Sequence, residues 1–172
     1  VIERFKRWHT CSLCEQDYHG VVNCALGWAC WKTYVGRPEV DGTNLRCCAM
    51  TLLGNGLSAA DHNEDALPVR EAELSMWRRL GAPEEHLLAA QTNLSNTYSR
   101  LGRLEEALQM GRDIYSGRAK LHGEENERTL RAACNYASSL VCLKRFEEAK
   151  ALLRKTMPVA RRVLGENHDL TL

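Results

Sequence analysis

The sequence predicts an all-α protein: a solenoid of helical hairpins behind an N-terminal cysteine-containing segment and a capping helix. Two observations predict this fold class. A pattern of residues recurs about every 42 positions in the second half of the chain, and apolar residues within each copy recur with helical spacing. Leu, Ala, Glu and Arg dominate that half, and the 172 residues include only four prolines. Because one helical hairpin cannot bury its apolar face alone, repeated hairpins are expected to stack.

The first element along the chain is a cysteine-rich stretch with the spacing C-x2-C-x4-H-x4-C. Thiolates and an imidazole in this order suit tetrahedral zinc, and the predicted ligands are Cys11, Cys14, His19 and Cys24. Glycines typical of nucleic-acid-binding zinc knuckles are replaced by Glu15 and Tyr18. His9 is a substitute ligand, unliganded thiols are the competing interpretation, and no βαβ pattern favours a redox role for the C-x-x-C pair. Zinc is the only cofactor that the sequence suggests.

The second element is a helix within the stretch VVNCALGWACWKTYVG, which places Val22, Leu26, Trp31 and Tyr34 near one another and ends at Gly36. Since the ends of a helical stack need capping, we expect this helix to pack on the first hairpin. The predicted organisation is therefore a cysteine and histidine segment with a capping helix at residues 1–40, followed by hairpins at residues 41–172.

The remaining elements are three helical hairpins, expected at approximately residues 44–81, 86–123 and 128–165, and the start of a further helix. Residues 93–130 align without gaps with residues 135–172, and the shared residues include the pairs Asn93 and Asn135, Leu101 and Leu143, Ala107 and Ala149, and Gly123 and Gly165. A weaker copy precedes them, with Ala66 lying 41 residues before Ala107.

The stretches TNLSNTYSRLGRLEEAL and CNYASSLVCLKRFEEAK, followed by LHGEENERTL and VLGENHDLTL, carry a resemblance to a known family. The arrangement resembles the tetratricopeptide repeat (TPR), in the longer variant found in kinesin light chains. The resemblance covers roughly residues 44–172 and implies a right-handed superhelix whose first helices line a concave, peptide-gripping surface. It implies a non-catalytic scaffold or adaptor, and the fold alone does not identify the partner.

By that resemblance, Asn93 and Asn135 match the groove asparagine whose amide donates to and accepts from a peptide backbone. Arg131 and Asn96 lie about one turn away on the same faces and are expected to add a carboxylate contact and a second amide contact. The competing interpretation is a solvated polar face. In the first copy Leu52 takes the corresponding place, so apolar contacts are expected there.

Composition narrows the function classes further. The net charge is +1 and the basic residues alternate with Glu, so nucleic acid is an unlikely partner and a protein or peptide is expected. We predict no enzyme, since Glu105 and Glu106 stand at an exposed helix start, where they complement its dipole, and no nucleophile–base pattern is present. No apolar run reaches membrane-spanning length. Eight cysteines without a disulfide framework favour a cytoplasmic or nuclear location.

The alternative function is a zinc-dependent module at residues 1–24 that contacts nucleic acid or a partner protein, with the repeats as a spacer. Oligomeric state is not predicted by any feature of the sequence.

Overall fold

The computed structural model describes residues 5–37 and 44–171, and its long helices confirm the all-α prediction. They are α1 (Gly20–Tyr34), α2 (Leu45–Ala59), α3 (Asn63–Arg79), α4 (Glu84–Arg100), α5 (Leu104–His122), α6 (Glu127–Cys142) and α7 (Phe146–Leu164). The hairpins α2–α3, α4–α5 and α6–α7 begin and end within two residues of the expected ranges. The β-structure described is one isolated bridge between Thr10 and Asp17.

The chain divides into two compact units, Val1–Ala90 and Gln91–Leu172. The first unit joins the cysteine segment, α1 and the hairpin α2–α3, so α1 shares a unit with the hairpin it was expected to cap. The predicted boundary between residues 40 and 41 lies outside the described residues. Residues 166–171 form turns, and the Thr171 amide donates to the His168 carbonyl at 2.8 Å, so the expected start of a further helix is not helical there.

In the first unit, α1 and α2 touch through their backbones because two glycines lie at the crossing. A Cβ on Gly27 would lie 2.9 Å from the Leu52 carbonyl oxygen and 3.0 Å from the Leu53 Cα. A Cβ on Gly56 would lie 2.6 Å from the Asn23 carbonyl oxygen. Buried side chains close the interface beside this crossing, namely Phe5, Cys30, Tyr34, Leu45 and Ala49. The N-terminal helix therefore caps the first hairpin.

The hairpin α2–α3 buries an ion pair. Arg70 and Glu73 are 3% and 2% exposed, and their charged atoms Nη1 and Oε2 are 3.2 Å apart. Thr51 donates to the second carboxylate oxygen of Glu73, and Arg70 also donates to Asn55. Gly54 leaves room for the guanidinium, since a Cβ there would lie 2.6 Å from the Arg70 Cζ. Burial lowers the pKa of Arg70, and its neighbour Glu73 opposes that shift.

In the second unit, α5 and α6 cross less closely. A Cβ on Gly111 would lie 3.6 Å from the Cα of Tyr136, which is ordinary van der Waals contact. Within the hairpins, three alanines are buried: Ala107, Ala137 and Ala149. Ser95 is also buried, and its hydroxyl donates to the Ala107 carbonyl at 3.1 Å. This looser crossing leaves space beside α5 for a cavity.

Candidate functional site

A cavity of about 190 Å³ lies in the second unit, between the C-terminal part of α4 and α6. Its apolar lining comes from Leu104, Gly111 and Ile114 on α5 and from Ala132 on α6. Its polar lining comes from hydroxyl, amide and thiol groups at helical spacing along the two facing helices: Thr92, Ser95, Asn96, Ser99, Asn135, Ser138, Ser139 and Cys142. No charged side chain is among the described lining residues.

Two amides at this cavity are exposed and available to a ligand. The side chains of Asn96 and Asn135 have no hydrogen-bond partner among the described residues. Three of the hydroxyls are already hydrogen-bonded, because Ser95 donates to Ala107, Ser139 donates to the Asn135 carbonyl at 3.2 Å, and Thr92 accepts from Arg118 at 3.4 Å. Each free amide offers both a donor and an acceptor. The cavity thus combines an apolar interior with neutral, bifunctional hydrogen-bonding groups at its opening.

The structure separates the four residues that the sequence predicted for the groove. It brings Asn96 and Asn135 together at the cavity, whereas Asn93 is half-buried and does not line it. Arg131 is held by two carboxylates, with its guanidinium nitrogens 3.0 Å from Glu127 Oε1 and 3.3 Å from Asp169 Oδ2. The hydrogen bond with Glu127, and then the charge of Asp169, raise the pKa of Arg131. Its guanidinium is thus already paired.

Sequence reasoning missed the serines that line the cavity. Ser99 lies three residues after Asn96, and Ser138 and Ser139 lie three and four residues after Asn135. Residues at this spacing share a helix face. The helical spacing of these serines from the two asparagines could therefore have identified them as lining residues.

The cysteine segment contains a tight turn that brings Cys11 and Cys14 together. The Cys11 amide donates to the Gln16 carbonyl at 2.8 Å, and the Glu15 amide donates to the Cys11 carbonyl at 3.0 Å. Hydrogen bonds from the Cys14 amide first, then from the Leu13 amide and the Cys14 thiol, lower the pKa of Cys11 to about 7. A thiol with this pKa is partly thiolate at neutral pH, the form that binds metals and reacts with electrophiles.

The other two predicted zinc ligands lie at α1. His19 is exposed at the start of α1, while Cys24 is half-buried and packs against the cluster of Leu53, Leu57 and Ala66. Among the described residues, no group of three or more His, Cys, Asp or Glu side chains is positioned to hold a metal ion. The geometry brings two of the predicted thiols together, and the four-ligand zinc site stays a prediction.

Comparison with protein families identifies two repeats in the second half of the chain. Residues 87–127 and 129–169 each match the tetratricopeptide repeat model. The hairpins α4–α5 and α6–α7 are tetratricopeptide repeats. Among curated proteins, none matches the sequence.

Solved structures of TPR-like proteins share the fold. A point variant of a putative kinesin light chain with nearly identical TPR-like repeats, from Podospora anserina, has a TM-score of 0.69 at 18% identity, over 87% of this chain and 69% of that chain. The form without that substitution gives 0.68 at the same identity and coverage. BtubC (BKLC) from P. vanneervenii gives 0.67 at 16% identity, over 87% of this chain and 60% of that chain. The predicted likeness to kinesin light chain repeats is confirmed at the level of fold.

The cavity lies between the two repeats, because its polar residues are on the first helix of each repeat and most of its apolar lining is on the helix between them. The tetratricopeptide repeats at residues 87–127 and 129–169 support a protein-interaction scaffold as the class of function. None of the described helices is long and apolar enough to cross a membrane.

Proposed function

We propose that this chain is a non-catalytic scaffold that binds an extended, uncharged peptide segment of a partner protein at the cavity between α4 and α6. The observation that carries the proposal is the pair of unoccupied amides, Asn96 and Asn135, at the opening of a cavity with an apolar interior. An extended peptide leaves backbone donors and acceptors unpaired, and a side-chain amide satisfies both. The interior formed by Leu104, Ile114 and Ala132 would take one apolar side chain of that peptide.

The neutral lining predicts what kind of peptide binds. A cavity without charged lining residues offers no ion pair to an acidic or basic ligand, so binding should respond mildly to salt. Arg131 and Asn93 belong to the proposed groove as flanking residues. We expect a small contribution from Arg131, since a peptide carboxylate would have to compete with Glu127 and Asp169 for its guanidinium.

We expect no catalysis at this site. Cys142 is the one titratable side chain among the described lining residues, and no histidine or carboxylate lines the cavity to activate it. All eight cysteines have free thiols, which agrees with the reducing, cytoplasmic or nuclear compartment that we propose.

The test is a peptide selected by display on the whole chain, with its Kd measured against variants. The pair Asn96→Ala/Asn135→Ala should weaken binding by about tenfold or more, because two net hydrogen bonds are worth roughly 1 kcal/mol each. Gln109→Ala is the matched control, since this exposed amide on α5 contacts Asp113 and lies away from the cavity. Equal Kd values for the double variant and wild type, or a steep loss of affinity with salt, would contradict the proposal.

A second candidate is the zinc-dependent module, which the Cys11–Cys14 turn favours. Two adjacent thiols with a lowered pKa at Cys11 are suitable soft ligands. Bound zinc would hold the turn together, and His19 and Cys24 are the predicted remaining ligands. We expect zinc close to one equivalent per chain after purification without chelator, lost in Cys11→Ser and kept in the control Cys142→Ser. Zinc well below one equivalent in wild type would remove this candidate and its nucleic-acid contact.

A further inference from the structure

A second groove lies within the second unit and is built by two successive repeats. It measures about 460 Å³ and is lined by five residues of α5, by Glu124 in the turn after α5, by Tyr136 of α6 and by Lys155 of α7. Since α6 packs against both α5 and α7, the walls are held together by contacts within this unit. Among the described residues, none lines both this groove and the cavity at Asn96 and Asn135. We refer to it as the basic groove.

The charges in the basic groove are mainly positive. Arg112, Lys120 and Lys155 line it, and Glu124 is the one acid among its described lining residues. The Lys155 ammonium lies 2.5 Å from Glu124 Oε1. Arg112 and Lys120 are exposed, and neither has an ion pair or a side-chain hydrogen bond with a described residue. Three positive charges against one negative leave the groove with a net charge of +2.

Glu148 acts electrostatically on Arg112 from outside the groove. Its carboxylate is held by Arg145, with Nε 2.6 Å from Oε1 and Nη2 2.7 Å from Oε2. The hydrogen bond with Arg145, and then the charges of Arg145 and Arg112, lower the pKa of Glu148. Because both carboxylate oxygens are bound by Arg145, the guanidinium of Arg112 keeps its donors for a ligand.

Aromatic and hydroxyl groups surround these charges. Tyr115 and Tyr136 are half-buried and line the groove together with the exposed Ser116. The hydrogen bond with Glu124, and then the interaction with Tyr115, raise the pKa of Lys155, which places the Tyr115 phenol beside the ammonium. A tyrosine ring offers apolar surface to another ring, and its hydroxyl can donate to an anionic oxygen. The basic groove thus combines aromatic walls with cations and hydroxyl donors.

The positive charge of the basic groove is not imposed by the repeat. Arg112 lies 41 residues after Glu71 of α3, and Lys155 lies 42 residues after Asp113 of α5. Two of the three cations therefore take positions that are acidic one repeat earlier. Since the repeat accommodates either sign at these positions, the cluster of cations is a feature of this pair of hairpins and not of the fold.

We propose that the basic groove binds a phosphotyrosine side chain of a partner protein, as a contact additional to the proposed peptide site. The phosphate accepts hydrogen bonds from Arg112, Lys120 and Lys155, and the ring packs against Tyr115 and Tyr136. A phosphate monoester carries about −1.5 to −2 charges at pH 7, which matches the net charge of the groove. Clustered cations are a recurring means of binding phosphorylated segments.

An extended polyanion fits this surface less well. Nucleic acid and anionic membranes are held by a continuous stretch of uncompensated cations. Here Glu124 lines the groove itself, and the neighbouring Glu125 is paired with Arg162. The compact positive charge between these acids suits a single dianionic group.

The test measures, by fluorescence anisotropy, the binding of the whole chain to a short fluorescent Gly/Ser peptide with a central phosphotyrosine. We expect this peptide to bind at least about tenfold more tightly than the same peptide with unmodified tyrosine, with an affinity that falls as salt is added. Arg112→Ala/Lys120→Ala should weaken the phosphopeptide by at least about tenfold and leave the unmodified peptide unchanged. Both side chains are exposed, so circular dichroism should show an unchanged fold. A phosphoserine peptide should bind more weakly, because it lacks the ring.

The matched control is Lys150→Ala/Arg154→Ala, which removes two exposed cations of α7 outside the basic groove and should leave the affinity for the phosphopeptide unchanged. Equal binding of the phosphotyrosine peptide and either comparison peptide, or a loss in the control as large as in the groove variant, overturns the proposal. Phosphatidylserine vesicles that bind through the two groove cations and are not displaced by the phosphopeptide would make a membrane the occupant and overturn it as well. The variant Asn96→Ala/Asn135→Ala should bind the phosphopeptide as wild type does, which separates this result from the fate of the proposed peptide site.

Discussion

The crossings α1–α2 and α5–α6 are equivalent pairs of helices with different contacts. Leu53 and Tyr136 occupy the same position in the first and third hairpins, and each faces a glycine of the preceding helix, Gly27 or Gly111. A Cβ at Gly27 would come within 3.0 Å of backbone, whereas a Cβ at Gly111 has 3.6 Å of space. At the α1–α2 crossing the two backbones are in contact. The α5–α6 crossing leaves room for a side chain and, beside it, for the candidate site.

The hairpins also differ in what their second helices bury. Arg70 and Glu73 of α3 lie 41 residues before Gly111 and Ile114 of α5, so a charged pair in the first unit stands where the second has neutral residues. Gly54 accommodates the guanidinium in the first unit, while Gly111 and Ile114 line the cavity in the second. The positions that hold a buried ion pair in the first unit therefore line the candidate binding cavity in the second.

The largest effect is expected from Glu73→Ala. Removing this carboxylate leaves the Arg70 guanidinium buried and unpaired, which should lower the free energy of unfolding of the first unit by about 3–5 kcal/mol. All four tryptophans, at positions 8, 28, 31 and 77, lie in that unit, so urea unfolding followed by tryptophan fluorescence reports on it. The control Arg70→Met/Glu73→Leu removes both charges, and its free energy of unfolding should fall much less. A double variant as unstable as Glu73→Ala would show that lost packing, and not an unpaired charge, causes the loss of stability.

Gly56→Ala should have the next largest effect. The new methyl group would lie 2.6 Å from the Asn23 carbonyl oxygen and 2.8 Å from the Cys24 Cα, so α1 must move away from α2. Overpacking of this kind costs about 1–3 kcal/mol. Tryptophan fluorescence during urea unfolding measures it. Stability equal to wild type would mean that the two helices separate easily and that the close crossing does not hold the cap in place.

Gly111→Ala is the matched substitution at the open crossing and should have the opposite sign. The added Cβ finds ordinary contact distances to Tyr136, and alanine is favoured over glycine within a helix by about 1 kcal/mol. We expect a gain of up to about 1 kcal/mol in urea unfolding followed by circular dichroism. A loss comparable to that of Gly56→Ala would show that the two crossings are equally tight.

The helices and their ends were predictable because turn residues and apolar spacing are local signals. That Asn96 and Asn135 line one cavity was predictable because the repeat assigns their helix faces, and their role in binding stays a proposal. The pairing of Arg131 was not, since Asp169 lies 38 residues away and its position depends on the turn after α7. The burial of Arg70 and Glu73 also escaped prediction, because charged residues are rarely buried and Gly54 and Thr51, which accommodate them, lie on another helix. The place of Cys24 depends likewise on the packing of α1 against α2.

Arg131→Ala should have the smallest effect and completes the contrast with the buried pair. The Arg131 side chain is 48% exposed and its two carboxylate partners are at least half exposed, so solvent screens both ion pairs. Exposed ion pairs contribute about 0.2–1 kcal/mol, and the contribution falls as salt is added. Urea unfolding followed by circular dichroism at low and high salt should show a small loss that disappears at high salt, whereas the loss for Glu73→Ala should persist. A salt-insensitive loss of several kcal/mol at Arg131 would show that its contacts with Glu127 and Asp169 hold the end of α7 against α6, which would assign Arg131 a structural role and not a ligand-binding one.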